Sequence, residues 1–266
     1  MEKKERKIVR ASDGKEVVKN AVKKADDAVE EAVEETPEEK KLTKEEKKQK
    51  ATTFRIVSIV LWVVALAAEV LAILALSKTL YIGLPVLWTV IIFLVVDAAA
   101  CLVAAFLWKK SNRLAPVKKT GNQVGFFVMT QLGVIMAVVC FLPLVIMILL
   151  NKDLDKKTKT ILTVVALVLL LIVGALSIDY NPISQEEAEA AEAAITGDVY
   201  WTVFGHKYHT HEDCGAIANS STIYTGTVSE AIEAGRETLC AFCAKKDNID
   251  TTNLKVEEPV ETVSEE

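Results

Sequence analysis

Four long apolar runs occupy the middle of this chain and limit what it can fold into. They cover residues 54–76, 84–108, 124–150 and 160–178. Each meets or approaches the roughly 20 residues that a helix needs to cross a bilayer core of about 30 Å. Because backbone polar groups in lipid must bond to one another, such runs are expected to be helices. The sequence therefore predicts an all-α polytopic membrane protein with four transmembrane helices, in contact with the lipid bilayer.

Charged residues are segregated from these runs. Residues 1–53 hold fifteen Lys/Arg and fourteen Asp/Glu, and show no apolar core of a signal peptide behind a short basic start. This composition predicts a charged N-terminal segment that is helical or disordered, with a thin Ala/Val stripe favouring helix at 15–35. Residues 54–178 form the predicted membrane domain.

Lysine and arginine near the span ends predict the orientation. Six lysines lie between residues 40 and 50, and the second loop carries five basic residues, whereas the first loop has only Lys78. By the positive-inside rule this places both termini in the cytoplasm of a multi-pass protein of the cell membrane. The four lysines of the third loop, residues 151–159, oppose this orientation.

Two acidic residues lie within the predicted spans, Glu69 in the first and Asp97 in the second. Carboxylates inside a bilayer are costly and usually face the interior of a helix bundle. One interpretation is a proton or cation path in which Thr89 or Gln131 connects the two acids. The other is a protonated acid that hydrogen-bonds between helices.

The C-terminal part gathers ligands for a metal. It contains His209-x4-Cys214 followed by Cys240-x2-Cys243, with His206 and His211 nearby. Structural zinc is bound in tetrahedral geometry by Cys and His, and a two-residue gap lets two thiolates bind one ion. Four ligands complete the shell, which indicates a structural Zn²⁺ and leaves His209 and His211 as alternatives for the fourth position. A hairpin through Gly205 and a capping box at Thr227 predict a small α+β domain.

The same segment resembles a known family. The run at 199–202, the step from Tyr208-His209 to Cys214, the helix at 230–235 and the closing Cys240-Ala241-Phe242-Cys243 are similar to small zinc-binding domains related to the Ada metal-binding fold. The resemblance covers residues 199–246 and implies His209, Cys214, Cys240 and Cys243 as the zinc ligands. One histidine stands where the Ada repair protein has cysteine. Residues 197–247 hold four basic and seven acidic residues, so nucleic-acid binding is not expected.

These observations predict a linker helix at 179–196, a zinc-binding domain at 197–247 and an acidic disordered tail at 248–266. The leading hypothesis is a non-enzymatic membrane protein, since no catalytic group of residues is apparent. Its cytoplasmic zinc-stabilised module would serve protein interaction or sensing. The alternatives are a small transporter or ion-permeation protein that uses Glu69 and Asp97, and a thiol or metal sensor that uses Cys240 and Cys243.

Overall fold

The computed structural model describes residues 7–12, 14, 16 and 43–250. The chain divides into two compact units. One comprises residues 47–182, and the other combines the chain before residue 47 with the chain from residue 183 onward. The helix expected at 15–35 and most of the expected tail at 248–266 lie outside the described residues.

Four long helices form the first unit, and all are long and apolar enough to cross a membrane. They are α1 (Lys44–Leu76), α2 (Val86–Leu114), α3 (Gln123–Leu150) and α4 (Lys156–Ser177). Helix α1 begins ten residues before its apolar run because Thr43 and Glu46 cap it: the Glu46 amide donates to the Thr43 hydroxyl, and the Thr43 amide donates to Glu46 Oε2.

The buried residues of α1, α2 and α3 follow a heptad spacing, and small residues among them let α2 and α3 approach closely. Alternating steps of three and four residues mark the inward faces, the period of helices that pack side by side. The buried positions on this spacing are Ala65, Ala68, Ala72 and Ala75 in α1, Val90, Leu94, Asp97, Cys101, Ala104 and Trp108 in α2, and Thr130, Gly133, Ala137, Cys140 and Leu144 in α3.

Side chains at the helix ends show that neighbouring helices alternate in direction. The Lys109 amine, near the end of α2, donates to the carbonyls of Leu176 and Ile178 at the end of α4. The side-chain amide of Asn151, just after α3, donates to the Leu76 carbonyl at the end of α1. The C-terminal ends of α2 and α4 therefore share one side of the bundle, and those of α1 and α3 share the other.

Trp108 is the last residue of the apolar run at 84–108, a position where tryptophan commonly lies at a membrane interface, but it lies inside the bundle. Its ring is buried, packs against Trp62 with centroids 5.3 Å apart, and donates from Nε1 to the Met129 carbonyl at 2.7 Å. The Arg55 guanidinium lies over the ring, 5.9 Å from its centroid. Because α2 continues to Leu114, Trp108 lies inside the bundle, where a backbone carbonyl satisfies its polar edge.

Among the described residues, the second unit has two small sheets and three short helices. Residues 197–247 of this unit form the C-terminal module. The predicted linker helix is present as α5 (Gln185–Ala194), which is shorter than the expected range 179–196 because Ser184 caps its start. The further elements are β2 (Val199–Trp201), β3 (Lys207–Tyr208), β4 (Thr222–Gly226), α6 (Val228–Glu233), β5 (Thr238–Leu239) and α7 (Ala241–Lys246). Strand β3 pairs in parallel with β5, and β2 pairs antiparallel with β4. The predicted capping box at Thr227 is confirmed, since Thr227 and Glu230 bond reciprocally.

A strand from the far N-terminus completes the larger sheet. Strand β1 (Lys7–Arg10) pairs in parallel with β4, and the sheet order is β1-β4-β2. The sequence predicts helix or disorder for residues 1–53, whereas Ile8 is buried in this sheet. The apolar pair Ile8-Val9 between charged residues is too short a run to indicate a strand, because its pairing partner lies more than 200 residues away.

We expect Ala72→Leu to destabilise the bundle by about 1–3 kcal/mol, the usual cost of inserting extra methylenes into a packed core. Ala72 is fully buried on the heptad seam. The matched control is Ala67→Leu, because Ala67 is an exposed alanine on the same helix. Thermal unfolding of the full chain in detergent measures the difference. Equal stability of the two variants would contradict the assigned inward face.

Candidate metal centre

Four ligand side chains converge in the C-terminal module. They are His209, Cys214, Cys240 and Cys243, and all four are buried. One potential ligand atom from each lies within 4.8 Å of all the others. The cluster therefore joins three sulfurs and one imidazole around a single point, which is a group able to hold a metal ion.

The spacing of these atoms fits a tetrahedral ion. Cys214 Sγ lies 4.0 Å from Cys240 Sγ, and Cys243 Sγ lies 3.8 Å from His209 Nδ1. Two sulfurs bound at about 2.3 Å in tetrahedral geometry stand about 3.8 Å apart. A disulfide would instead require an S–S distance of about 2.05 Å, and all three cysteines are free.

The register of the smaller sheet brings His209 and Cys240 together. Lys207 pairs with Thr238 and Tyr208 pairs with Leu239. One residue further along each strand, His209 and Cys240 are therefore side by side, and the Cys240 amide donates to the Tyr208 carbonyl at 2.9 Å. The predicted hairpin is present as a single reciprocal pair, in which Tyr200 and His209 exchange backbone hydrogen bonds at 2.7 Å.

The other two ligands come from a turn and a helix. Cys214 lies in the turn after β3, where its amide donates to the His211 carbonyl. Cys240 is the N-cap of α7, so Cys243 follows it by nearly one helical turn on the same side. Backbone hydrogen bonds thus position both pairs of ligand side chains.

The three histidines have different surroundings. His209 is buried in the cluster, whereas His211 Nε2 lies 2.6 Å from Asp247 Oδ1 and His206 is exposed. Asp247 also accepts a hydrogen bond from the Thr210 hydroxyl, and these contacts lower the pKa of Asp247. His211 therefore joins the end of α7 to the segment after β3, outside the cluster.

Burial controls the protonation of the cluster. Desolvation raises the pKa of Cys214 to about 11, and desolvation together with the nearby Lys207 lowers the pKa of His209. Imidazole binds metals in its neutral form, so the shift of His209 favours ligation. A thiolate at Cys214 needs a compensating cation in this environment. A bound metal ion would supply that compensation.

Glu69 and Asp97, the acidic residues within the predicted spans, are both buried. Glu69 Oε1 accepts a hydrogen bond from the Leu144 amide at 3.2 Å, next to Pro143 inside α3. This hydrogen bond joins α1 to α3, as expected if the acid hydrogen-bonds between helices. Neither proposed connecting residue joins the acids: Thr89 bonds to carbonyls at the start of its own helix, and Gln131 exchanges hydrogen bonds with the backbone of Asp179.

A second group of possible metal ligands was missed by the sequence analysis. Asp97, Cys101 and Cys140 are buried in the helix bundle, and their ligand atoms lie within 4.8 Å of one another. The spacing of Asp97 and Cys101, four residues apart, places both on one face of α2. The spacing of Asp97 and Cys101 is visible in the sequence, but the approach of Cys140 to them depends on how α3 packs against α2.

No family model, curated protein or solved structure shows significant similarity to this chain. The chemistry of the clusters and the arrangement of the helices are therefore the basis for assigning a function.

We expect His209→Ala to reduce the Zn²⁺ content of the purified full-length protein by one ion per chain. Loss of a direct ligand should cost more than the roughly 10–100-fold in affinity that outer residues contribute. The matched control, His211→Ala, should keep the ion, because His211 contacts Asp247 and not the cluster. Chelator competition followed by elemental analysis measures both. Loss of the ion from His211→Ala with retention in His209→Ala would reverse the assignment.

Proposed function

We propose that this chain is a non-enzymatic, multi-pass membrane protein whose cytoplasmic module is stabilised by a structural Zn²⁺ ion and contacts a protein partner. The observation that carries the proposal is the buried cluster of His209, Cys214, Cys240 and Cys243. Three thiolates and an imidazole are a donor set typical of structural zinc, and four protein ligands leave no position for a substrate. The resemblance of residues 199–246 to the Ada-related domains supports the same metal.

The size of the module supports a structural role for the ion. Domains of about fifty residues bury too little apolar surface to offset their chain entropy by a wide margin. Zinc binding at such a site contributes on the order of 10 kcal/mol to folding. The ligands come from both ends of the module, so a bound ion would connect segments that are 34 residues apart, from His209 to Cys243.

The pairing of β1 with β4 supports the proposed orientation. The N-terminal strand belongs to the same sheet as the C-terminal module, which supports a topology with residues 7–10 and the module on one side of the membrane. Four spans that alternate in direction also return the chain to its starting side. The lysines before α1 favour the cytoplasm as that side, against the lysines at 151–159.

Two aromatic residues on the module support a role in protein contact. Phe204 is 92% exposed and Phe242 is 73% exposed. Phe204 lies in a turn that Arg236 fixes, because the guanidinium donates to the carbonyls of Thr202 and Val203. Aromatic side chains, phenylalanine among them, are enriched at protein interfaces relative to the rest of the surface.

We expect Ser12→Cys and Asn219→Cys to resist an impermeant maleimide in intact cells and to react after permeabilisation. Both positions are exposed, and the native cysteines are buried. Thr79→Cys, in the loop between α1 and α2, is the control that should react in intact cells. Labelling of Asn219→Cys in intact cells would place the module outside, and different behaviour of the two test positions would contradict the β1–β4 pairing.

We expect Phe204→Ser/Phe242→Ser to lose proteins that co-purify with the wild-type chain after crosslinking in its own cells, while the zinc content stays unchanged. Loss of a central aromatic anchor typically weakens an interface by 2 kcal/mol or more, about 30-fold. Asn219→Ser is the control for an exposed position without an aromatic ring. An identical set of crosslinked proteins for all three chains would argue against an interface at these residues.

A further inference from the structure

A compact group of polar side chains lies inside the apolar helix bundle. Cys101 Sγ is 3.6 Å from Asp97 Oδ1, and Cys140 from α3 brings a second sulfur within 4.8 Å of both ligand atoms. Asp97 is 1% exposed, Cys101 2% and Cys140 0%. The group therefore contains one carboxylate and two thiols that are shielded from solvent by the protein.

Close packing of α2 and α3 fixes the positions of these side chains. Asp97 and Cys101 occupy successive places on the heptad seam of α2, and Cys140 occupies the seam of α3. Nearby, a Cβ added at Gly133 would lie 3.0 Å from the Ala105 Cβ. Small residues at such positions let helix backbones approach closely and hold the facing side chains in place.

The carboxylate of Asp97 is incompletely satisfied. Its Oδ2 atom is buried and has no hydrogen-bond partner among the described residues, and Oδ1 has only the weak thiol donor of Cys101. Glu69 differs, because a backbone amide donates to its carboxyl group. An unpaired carboxyl oxygen in an apolar environment costs free energy, and proteins normally pair such groups or use them to coordinate a metal.

We propose that Asp97, Cys101 and Cys140 form a second metal site, inside the membrane bundle, that takes a thiophilic divalent ion such as Zn²⁺. Thiolates select soft and borderline metals over Mg²⁺ and Ca²⁺, and the carboxylate supplies an oxygen ligand that Zn²⁺ also accepts. A divalent ion would neutralise most of the charge on the three ligands. The unpaired Oδ2 of Asp97 would then gain a partner.

This site differs from the C-terminal centre in its number of ligands. Three protein side chains leave one place in a tetrahedral shell for an exchangeable ligand, whereas four fill it. The membrane site is therefore the weaker of the two and should release its ion first to a chelator. Its existence does not depend on the proposed role of the C-terminal module, because the two sites share no residue.

The test uses full-length protein in lipid nanodiscs, loaded with Co²⁺ as a spectroscopic substitute for Zn²⁺. We expect two ions per chain and a thiolate-to-cobalt absorption from all five cysteines. Cys101→Ser/Cys140→Ser should bind one ion and lose the absorption of two Co–S bonds, and Asp97→Asn should lose Co²⁺ more readily to a chelator. Thr130→Ala is the control, because Thr130 is a buried α3 residue whose hydroxyl bonds only within its helix.

A second variant keeps the test valid if Cys101→Ser/Cys140→Ser does not fold. In Cys240→Ser/Cys243→Ser the C-terminal centre is removed and the bundle residues are unchanged, so one ion with two Co–S bonds should remain. A wild-type chain that binds a single ion and loses it in Cys240→Ser/Cys243→Ser would overturn the proposal, whereas a single ion retained in that variant would instead count against the C-terminal centre. The absence of bound ion in Cys240→Ser/Cys243→Ser, or a Cys101–Cys140 disulfide that forms equally with and without metal, would also overturn the proposal.

Discussion

The exclusion of water from the helix bundle determines most of what its buried residues can do. Backbone groups in an apolar environment must bond to one another, which fixes the four helices, and buried polar side chains must then find partners on neighbouring helices. Trp108 bonds to a carbonyl of α3, Glu69 accepts from the Leu144 amide, and Lys109 satisfies the last carbonyls of α4. These bonds connect particular pairs of helices, so they specify the arrangement as well as stabilise it.

The second unit has little regular sheet to stabilise it. Its sheets are short, and β3 and β5 contain only two residues each. Such strands provide few hydrogen bonds, but their register places His209 beside Cys240. Local structure thus positions the ligands, and a bound ion would in turn hold together strands that are too short to be stable alone. The N-terminal strand β1 adds a third strand to the larger sheet and increases its hydrogen bonding.

The sequence predicted the features that depend on local chemistry. Continuous apolar runs predict the helices, and the pair Thr227 and Glu230, three positions apart, predicts the start of α6. The features that it missed depend on distant contacts. Strand β1 requires β4, more than 200 residues away, and Cys140 joins Asp97 only because α3 packs against α2. The burial of Trp108 also depends on where α2 ends, and an apolar run marks that end poorly when the helix continues into polar residues.

The two clusters place metal-binding side chains in two different environments. In the C-terminal module the ligands lie on short strands and turns, and a bound ion would supply much of the stability that the small core lacks. In the bundle the ligands lie on long helices that apolar and small residues already hold together, so an ion there is not needed for folding. A site that is rigid without its metal can lose the ion and keep its shape. Exchange of metal is therefore compatible with the bundle, whereas in the module loss of metal and loss of structure are expected to occur together.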